Sequence, residues 1–207
     1  MNEIFYSVSL CLGILACFGD ILVPFILGAK KENYNHFYDV ISELGTKESP
    51  TRKQASIWLI GFGLSFVLFA IGFWVKIGIS PSINLAFVLS MMCFGIGAGI
   101  ICGIFPEDSK GEPETIHGKI HGISAGLGSI GLLLSPLFAC WIEALPVNEF
   151  ISCVLFIIAL ISFSLFLGSK RKVKVEGTGV LAAAGLWQRL FLIVCYGFLV
   201  VNGIMLV

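Results

Sequence analysis

Two histidines lie one helical turn apart in the run Thr115-Ile-His-Gly-Lys-Ile-His-Gly122, at positions His117 and His121. Side chains at positions i and i+4 share one face of a helix, so the two imidazoles are expected to face one partner. A catalytic zinc ion needs about three protein ligands and an open position for water. Asp108, Asp20 and Glu43 are the candidates for the third ligand. The set His117, His121 and Asp108 forms the hypothesised metal site, with zinc as the expected ion.

Other polar residues lie where a membrane protein could use them. Asp20 lies about two turns, roughly 12 Å, inside the end of the first apolar stretch, and an ionisable group at that depth is a candidate functional residue. Residues 36–44 have amphipathic spacing, which predicts a short interfacial helix carrying Glu43 and ending at Gly45. Arg189, at the start of the last apolar stretch, could pair with an anion.

The composition places these residues in a membrane protein. Hydrophobic residues make up 57% of the 207 residues, charged residues 13%, and the mean hydropathy is +0.97. A helix needs about 20 apolar residues to cross a bilayer. The sequence therefore predicts an all-α, polytopic six-helix transmembrane bundle that forms a single domain over residues 1–207. The predicted spans are roughly 4–28, 56–79, 83–105, 118–142, 149–168 and 185–206.

The basic residues predict the orientation of the bundle. Twelve lysines and arginines lie in or beside residues 29–55, 106–117 and 169–184, whereas Lys76 alone lies on the other side. Cytoplasmic loops carry the excess of positive charge. Both termini are therefore expected to be non-cytoplasmic, and the histidine pair is expected near the cytoplasmic face.

Glycine spacing predicts which helices touch. Glycines recur every four residues in spans three and four, and small residues at that interval let helix backbones approach closely. Spans three and four are therefore expected to pack through these glycines, with an apolar stripe of span four facing lipid. The glycines are Gly95, Gly99, Gly103, Gly118, Gly122 and Gly126, and the stripe is Ile120, Ile123, Leu127, Ile130 and Leu134.

Several cofactors and partners are not expected. The seven cysteines include no CxxC pair and predict no disulfide framework. Haem is not expected, because two histidines on one helix cannot approach an iron ion from opposite faces. The basic loops are explained by topology and by anionic lipid, so nucleic acid is not an expected partner.

Four segments together resemble a family of bacterial membrane proteins catalogued as domain of unknown function 998. They are Ile41-Ser-Glu-Leu-Gly45 followed by Pro50, the glycine-rich third span running into Phe105-Pro-Glu-Asp108, the segment from His117 to Gly122, and Gly185-Leu-Trp-Gln-Arg189. The resemblance implies six helices in the bacterial inner membrane with a polar cluster on one face. It implies no reaction.

Three functions fit the residues. The leading hypothesis is binding or transport of a small ligand, an ion or a lipid headgroup at a polar site near the cytoplasmic face, built from His117, His121, Asp108, Asp20, Glu43 and Arg189. One alternative is a metal-dependent intramembrane hydrolase, and the other is a structural or interaction protein whose buried polar groups are only hydrogen-bonded. The lipid bilayer is the expected partner, and the oligomeric state is left open.

Overall fold

A computed structural model describes residues 2–109, 111, 113–172 and 179–206. Lys110 and Lys174, two of the basic residues used to predict the orientation, lie outside this set. Six long helices carry the described chain: α1 (Asn2–Gly28), α2 (Arg52–Ile77), α3 (Ser82–Ile104), α4 (Ile116–Ala139), α5 (Glu149–Lys172) and α6 (Ala184–Met205). Short 3₁₀ turns at Ile41–Gly45 and Val180–Ala182 lie in the connections. Each of the six helices is long and apolar enough to cross a membrane, which confirms the predicted fold class.

The helices form an up-and-down ring in chain order. Each helix packs on the next, α6 packs back on α1, and α4 also reaches α6. At one end the Tyr6 hydroxyl of α1 donates to the Gly203 carbonyl of α6 at 2.7 Å, which fixes the closure of the ring. At the other end lie the connections 29–51 (loop one) and 105–115 (loop three). The bundle interior is filled mainly by phenylalanines, among them Phe66, Phe69 and Phe73.

The middle of α3 is a π-helical segment, Gly95–Ile101. A π turn adds a residue to the helix and redirects the side chains around it, and such segments often occur at functional sites. Here the wider turn places α3 between two neighbours at very short range. A Cβ on Gly99 would lie 2.5 Å from the Gly63 Cα of α2, and one on Gly97 would lie 2.7 Å from the Ser124 carbonyl oxygen of α4.

This packing corrects the predicted glycine contacts. Spans three and four are neighbours as predicted, but Gly95, Gly99 and Gly103 contact α2 rather than α4. The glycines that contact the other helix are Gly97 of α3 and Gly128 and Gly131 of α4. Around Gly122 and Gly126 an added Cβ would meet nothing within 4 Å. The four-residue spacing therefore correctly predicts close packing of α3, but the partner helix is α2 and not α4. Gly122 and Gly126 of α4 border open space instead.

The predicted lipid-facing side of α4 agrees with the structure. Ile123, Leu127 and Ile130 are exposed, whereas Ile120 and Leu134 are half-buried. An apolar side chain without a protein neighbour in a membrane span is solvated by lipid. The stripe therefore faces outward, as its 100° periodicity predicts.

Loop one differs from the prediction. The amphipathic helix expected over residues 36–44 is reduced to the 3₁₀ turn Ile41–Gly45, and the residues before it form turns. Val40 and Leu44 are buried as an amphipathic pattern requires. The carbonyls of residues 36–39 bond to α6 instead of to their own helix, and this is the physical reason that no α-helix forms there.

We expect Gly99→Ala to destabilise the bundle and Gly126→Ala to be tolerated. The first methyl group would overlap the α2 backbone, and overpacking of this kind costs about 1–3 kcal/mol. The second would enter open space on a helix, where alanine is the better helix former. Melting temperatures of the two variants in the same detergent measure the difference. Equal losses would contradict the assigned helix faces.

Candidate functional site

A cavity of about 320 Å³ lies between the helices, near the end of the bundle that carries loops one and three. All six helices contribute to its wall, together with the 3₁₀ turn of loop one. Its apolar wall contains five phenylalanines, Phe62, Phe94, Phe163, Phe166 and Phe191. Its polar and ionisable groups are Asp20, Ser42, Glu107, His121, Ser129 and Gln188. We call this space the central cavity.

Asp20 is the deepest acid of the central cavity. Its side chain is 5% exposed, and each carboxyl oxygen has one donor: Trp58 Nε1 of α2 at 3.2 Å and the Tyr196 hydroxyl of α6 at 2.8 Å. Two neutral donors satisfy part of the carboxylate, which has about four acceptor positions. Asp20 therefore joins three helices and still lines the open space.

His121 lines the same cavity from α4. It is 5% exposed, and its Nδ1 lies 2.8 Å from the Phe105 carbonyl oxygen at the end of α3. A carbonyl can only accept, so Nδ1 carries a proton. In the neutral ring Nε2 is then an acceptor. Of the candidate site residues, the structure brings Asp20 and His121 to one cavity.

His117 does not share this position. It is exposed at the surface of α4, and its ring packs edge-on against Phe105 with centroids 5.5 Å apart. The expectation that both imidazoles face one partner is therefore wrong. Helical spacing sets the angle between two side chains, but only His121 is turned inward and buried, and Phe105 contacts each histidine through different atoms. Within the described residues, no group of three or more His, Cys, Asp or Glu side chains is placed to hold a metal ion. Metal binding by His117, His121 and Asp108 stays a prediction without support from this arrangement.

Asp108 has a local role at the start of α4. One carboxyl oxygen accepts the Thr115 backbone N–H at 2.7 Å, and the other accepts the Thr115 hydroxyl at 2.7 Å. The Thr115 side chain in turn caps α4 by accepting the Gly118 N–H at 3.2 Å. These hydrogen bonds, with Lys47 at 3.4 Å, hold the pKa of Asp108 below its ordinary value. The cap thus explains Asp108 as well as Thr115.

A second space, the outer pocket, lies between loops one and three and has a volume of about 750 Å³. Among its described lining residues are five acids and one basic residue, Lys31. These acids are Asp39, Glu43, Glu48, Glu107 and Asp108. Glu43 therefore belongs to the outer pocket and not to the cavity of Asp20 and His121. Glu107 lines both spaces, so it stands at the boundary between them.

Loop one is held over the bundle by the first turn of α6. The N–H groups of Gly185 and Leu186 donate to the carbonyls of Tyr38 and Phe37, at 3.3 and 2.9 Å. These bonds satisfy donors that the first turn of a helix leaves unpaired. A Cβ on residue 185 would lie 2.3 Å from the Asp39 carbonyl oxygen, so only glycine allows this approach.

Arg189 completes this attachment. Its Nη1 donates to the carbonyls of His36, Asp39 and Gly185 at 2.8, 3.2 and 2.9 Å, and its Nη2 donates to the Tyr34 hydroxyl at 2.9 Å. The guanidinium also lies 5.7 Å from the centroid of the Phe25 ring. Loop one and the first turn of α6 therefore occupy both terminal nitrogens of Arg189, which an anion would otherwise contact.

These attachments involve three of the segments singled out in the sequence: Ile41–Gly45, the end of α3 with Asp108, and Gly185–Arg189. The sequence matches the family described as a protein of unknown function (DUF998) over residues 14–205. The chain belongs to the DUF998 family. No curated protein and no solved structure matches it.

Four residues of this DUF998 protein that line the central cavity or bond to Asp20 were not predicted from its sequence: Glu107, Gln188, Trp58 and Tyr196. Gln188 Oε1 accepts the Ile41 N–H at 2.8 Å and so orients the turn that covers the cavity. Glu107 was visible as the neighbour of Asp108, and Gln188 lay in a quoted segment. Nothing local marks Trp58 or Tyr196, because they meet Asp20 only across helix contacts 38 and 176 residues apart in sequence.

The attachment of loop one should weaken in acid. His36 Nδ1 accepts from Arg189 Nη2 at 3.3 Å, and burial followed by the charge of Arg189 lowers the pKa of His36. A lowered folded-state pKa gives a stability contribution that is present above the unfolded value of about 6.5 and is lost as the pH falls through the folded value.

We therefore expect the melting temperature of the protein to fall between pH 7.5 and pH 5. The variant His36→Phe should show a smaller fall, because it keeps the stacking on Phe25 but cannot be protonated. Thermal unfolding of the wild type and of His36→Phe between pH 7.5 and pH 5 measures the two falls in melting temperature. An identical pH dependence in the variant would contradict a role for His36.

Proposed function

We propose that this integral membrane protein binds a small organic cation with an apolar body in the central cavity. The observation that carries the proposal is that Asp20 and Glu107 line a mainly apolar, phenylalanine-rich cavity whose described lining contains no lysine or arginine. A carboxylate attracts a cation, and aromatic faces stabilise it further. Ligand sites of this kind combine an apolar wall with a few placed polar groups.

The outer pocket supports a positive charge on the ligand. The five acids in its described lining lie on loop one and loop three, and one of them, Glu107, also lines the central cavity. A pocket in which one sign of charge predominates raises the local concentration of the opposite ion. A cation arriving from the aqueous side would meet this acidic surface first.

A second route, from the bilayer, is supported by the wall between α4 and α5. Gly122 and Gly126 of α4 line the cavity and leave open space, and Leu167 of α5 lines it while being 48% exposed. The ligand could thus be a soluble amine or the headgroup of a cationic amphiphile. The shared chemistry is a positively charged nitrogen attached to an apolar group.

His121 and Gln188 fit the role of positioning groups. His121 Nε2 in the neutral ring accepts a hydrogen bond, and a protonated amine can donate one. Gln188 holds the turn Ile41–Gly45 over the cavity, so ligand binding and the position of loop one would be linked.

Binding can be tested on purified protein in nanodiscs of zwitterionic lipid with hexyltrimethylammonium as the probe. Hexyl sulfate and hexanol serve as anionic and neutral controls of the same chain length. We expect the cation alone to bind and to raise the melting temperature. Asp20→Asn should weaken its binding by about tenfold or more, equivalent to about 1.4 kcal/mol. Glu149→Gln, an exposed acid at the other end of the bundle, is the matched control.

A cavity-filling variant protects this test from effects of folding. Gly126→Leu adds volume in open space, so it should keep the melting temperature and lose the cation. Comparison of hexyltrimethylammonium with hexadecyltrimethylammonium incorporated in the bilayer distinguishes a soluble amine from the headgroup of a cationic amphiphile, because the preferred source should bind more tightly. Equal binding of hexyl sulfate, or unchanged binding by Asp20→Asn and Gly126→Leu, would overturn the proposal.

The orientation completes the proposal. We infer that the acidic outer pocket and loop one face the cytoplasm and that both termini lie on the other side, because the excess of basic residues flanks this end. Reporter fusions to the two termini should show both to be non-cytoplasmic. A cytoplasmic C-terminus would contradict the orientation without affecting the cavity.

A further inference from the structure

The two cysteines at the turn between α4 and α5 lie against each other. Cys140 follows the last residue of α4, and Cys153 lies one turn after the start of α5 at Glu149. Their sulfur atoms are 2.7 Å apart. A disulfide bond is about 2.05 Å long, so the two thiols are already within a small displacement of bonding distance.

The position of this pair in the bundle suggests its chemistry. It lies at the end opposite loops one and three, where Lys76 is the single basic residue of the predicted non-cytoplasmic side. Disulfides form and persist in the oxidising compartments outside the cytoplasm. The other five cysteines, Cys11, Cys17, Cys93, Cys102 and Cys195, lie within α1, α3 and α6.

We propose that Cys140 and Cys153 form an intramolecular disulfide that ties the end of α4 to the start of α5. This inference does not depend on the ligand of the central cavity. It differs from the expectation from the sequence, which predicts no disulfide framework, because twelve intervening residues conceal a contact that only the turn creates.

The reaction needs an oxidant, and a disulfide-carrying oxidoreductase of the non-cytoplasmic compartment is the chemical class that fits. Cys153 is exposed and Cys140 is buried. The Cys153 thiolate attacks the oxidant's disulfide, giving a mixed disulfide and releasing one oxidant thiolate. The Cys140 thiolate then attacks Cys153 Sγ and releases the second. Two thiols lose two protons and two electrons, and the oxidant's disulfide is reduced to a dithiol.

The bond would have a structural consequence for the α4–α5 pair. These helices join at the Cys140 end and line the central cavity at the other end, through Gly122, Gly126 and Leu167. A covalent link at the joined end restricts how far the two helices separate there. Movement between them would then be concentrated at the cavity end.

The test is a count of reactive thiols in the full-length protein. Cells are quenched with acid, and the denatured protein is labelled with a maleimide-polyethylene glycol before or after reduction. Of the seven cysteines, we expect five to react before reduction and seven after it. Cys140→Ser and Cys153→Ser should each show six reactive thiols both before and after reduction.

Cys93→Ser is the matched control, because Cys93 is also exposed but lies in α3. It should show four reactive thiols before reduction and six after. Seven reactive thiols in the unreduced wild type would overturn the proposal. A count of five or fewer reactive thiols before reduction in Cys153→Ser would also overturn it. So would a disulfide-linked dimer in place of the intramolecular bond.

Discussion

The burial of Arg189 is the constraint on which the cavity end of this protein depends. A guanidinium removed from water must find acceptors, and loop one supplies them from the backbone carbonyls of His36 and Asp39 and from the Tyr34 hydroxyl. Loop one is therefore folded over α6 as irregular turns. The same attachment places Ile41 and Ser42 in the wall of the central cavity and Asp39 and Glu43 in the outer pocket. Loop one is thus the partition between the two spaces.

The helix packing creates the cavity in a complementary way. The π segment of α3 brings Gly97 and Gly99 against α4 and α2, so α3 is held at backbone contact on both sides. Beside this contact, α4 carries Gly122 and Gly126. These two residues have no side chain to fill the neighbouring space, which therefore stays open. Tight packing through some glycines and empty volume beside others leave a cavity that Asp20 and His121 can line.

Four of the polar groups identified at the start have physical explanations in this arrangement, and the explanations differ. Asp108 is held by a helix cap, and the two terminal nitrogens of Arg189 donate to the protein itself, mainly to loop carbonyls. Asp20 and His121 are partly satisfied and line open space. This difference separates groups that maintain the fold from groups available to a ligand, and it is the reason that the proposed function rests on Asp20 and the cavity.

The sequence by itself determined the membrane class, the six helices, the lipid-facing stripe of α4 and the position of Asp20 inside a span, because apolar length and periodicity are local properties. It could not determine which glycines meet which helix, since spacing gives a face but not the neighbour. It also could not distinguish His117 from His121. The bundle buries His121 and leaves His117 exposed, and the loop-one acceptors of Arg189 lie about 150 residues away in sequence. Only the tertiary structure decides contacts of that range, because they depend on how whole helices are placed.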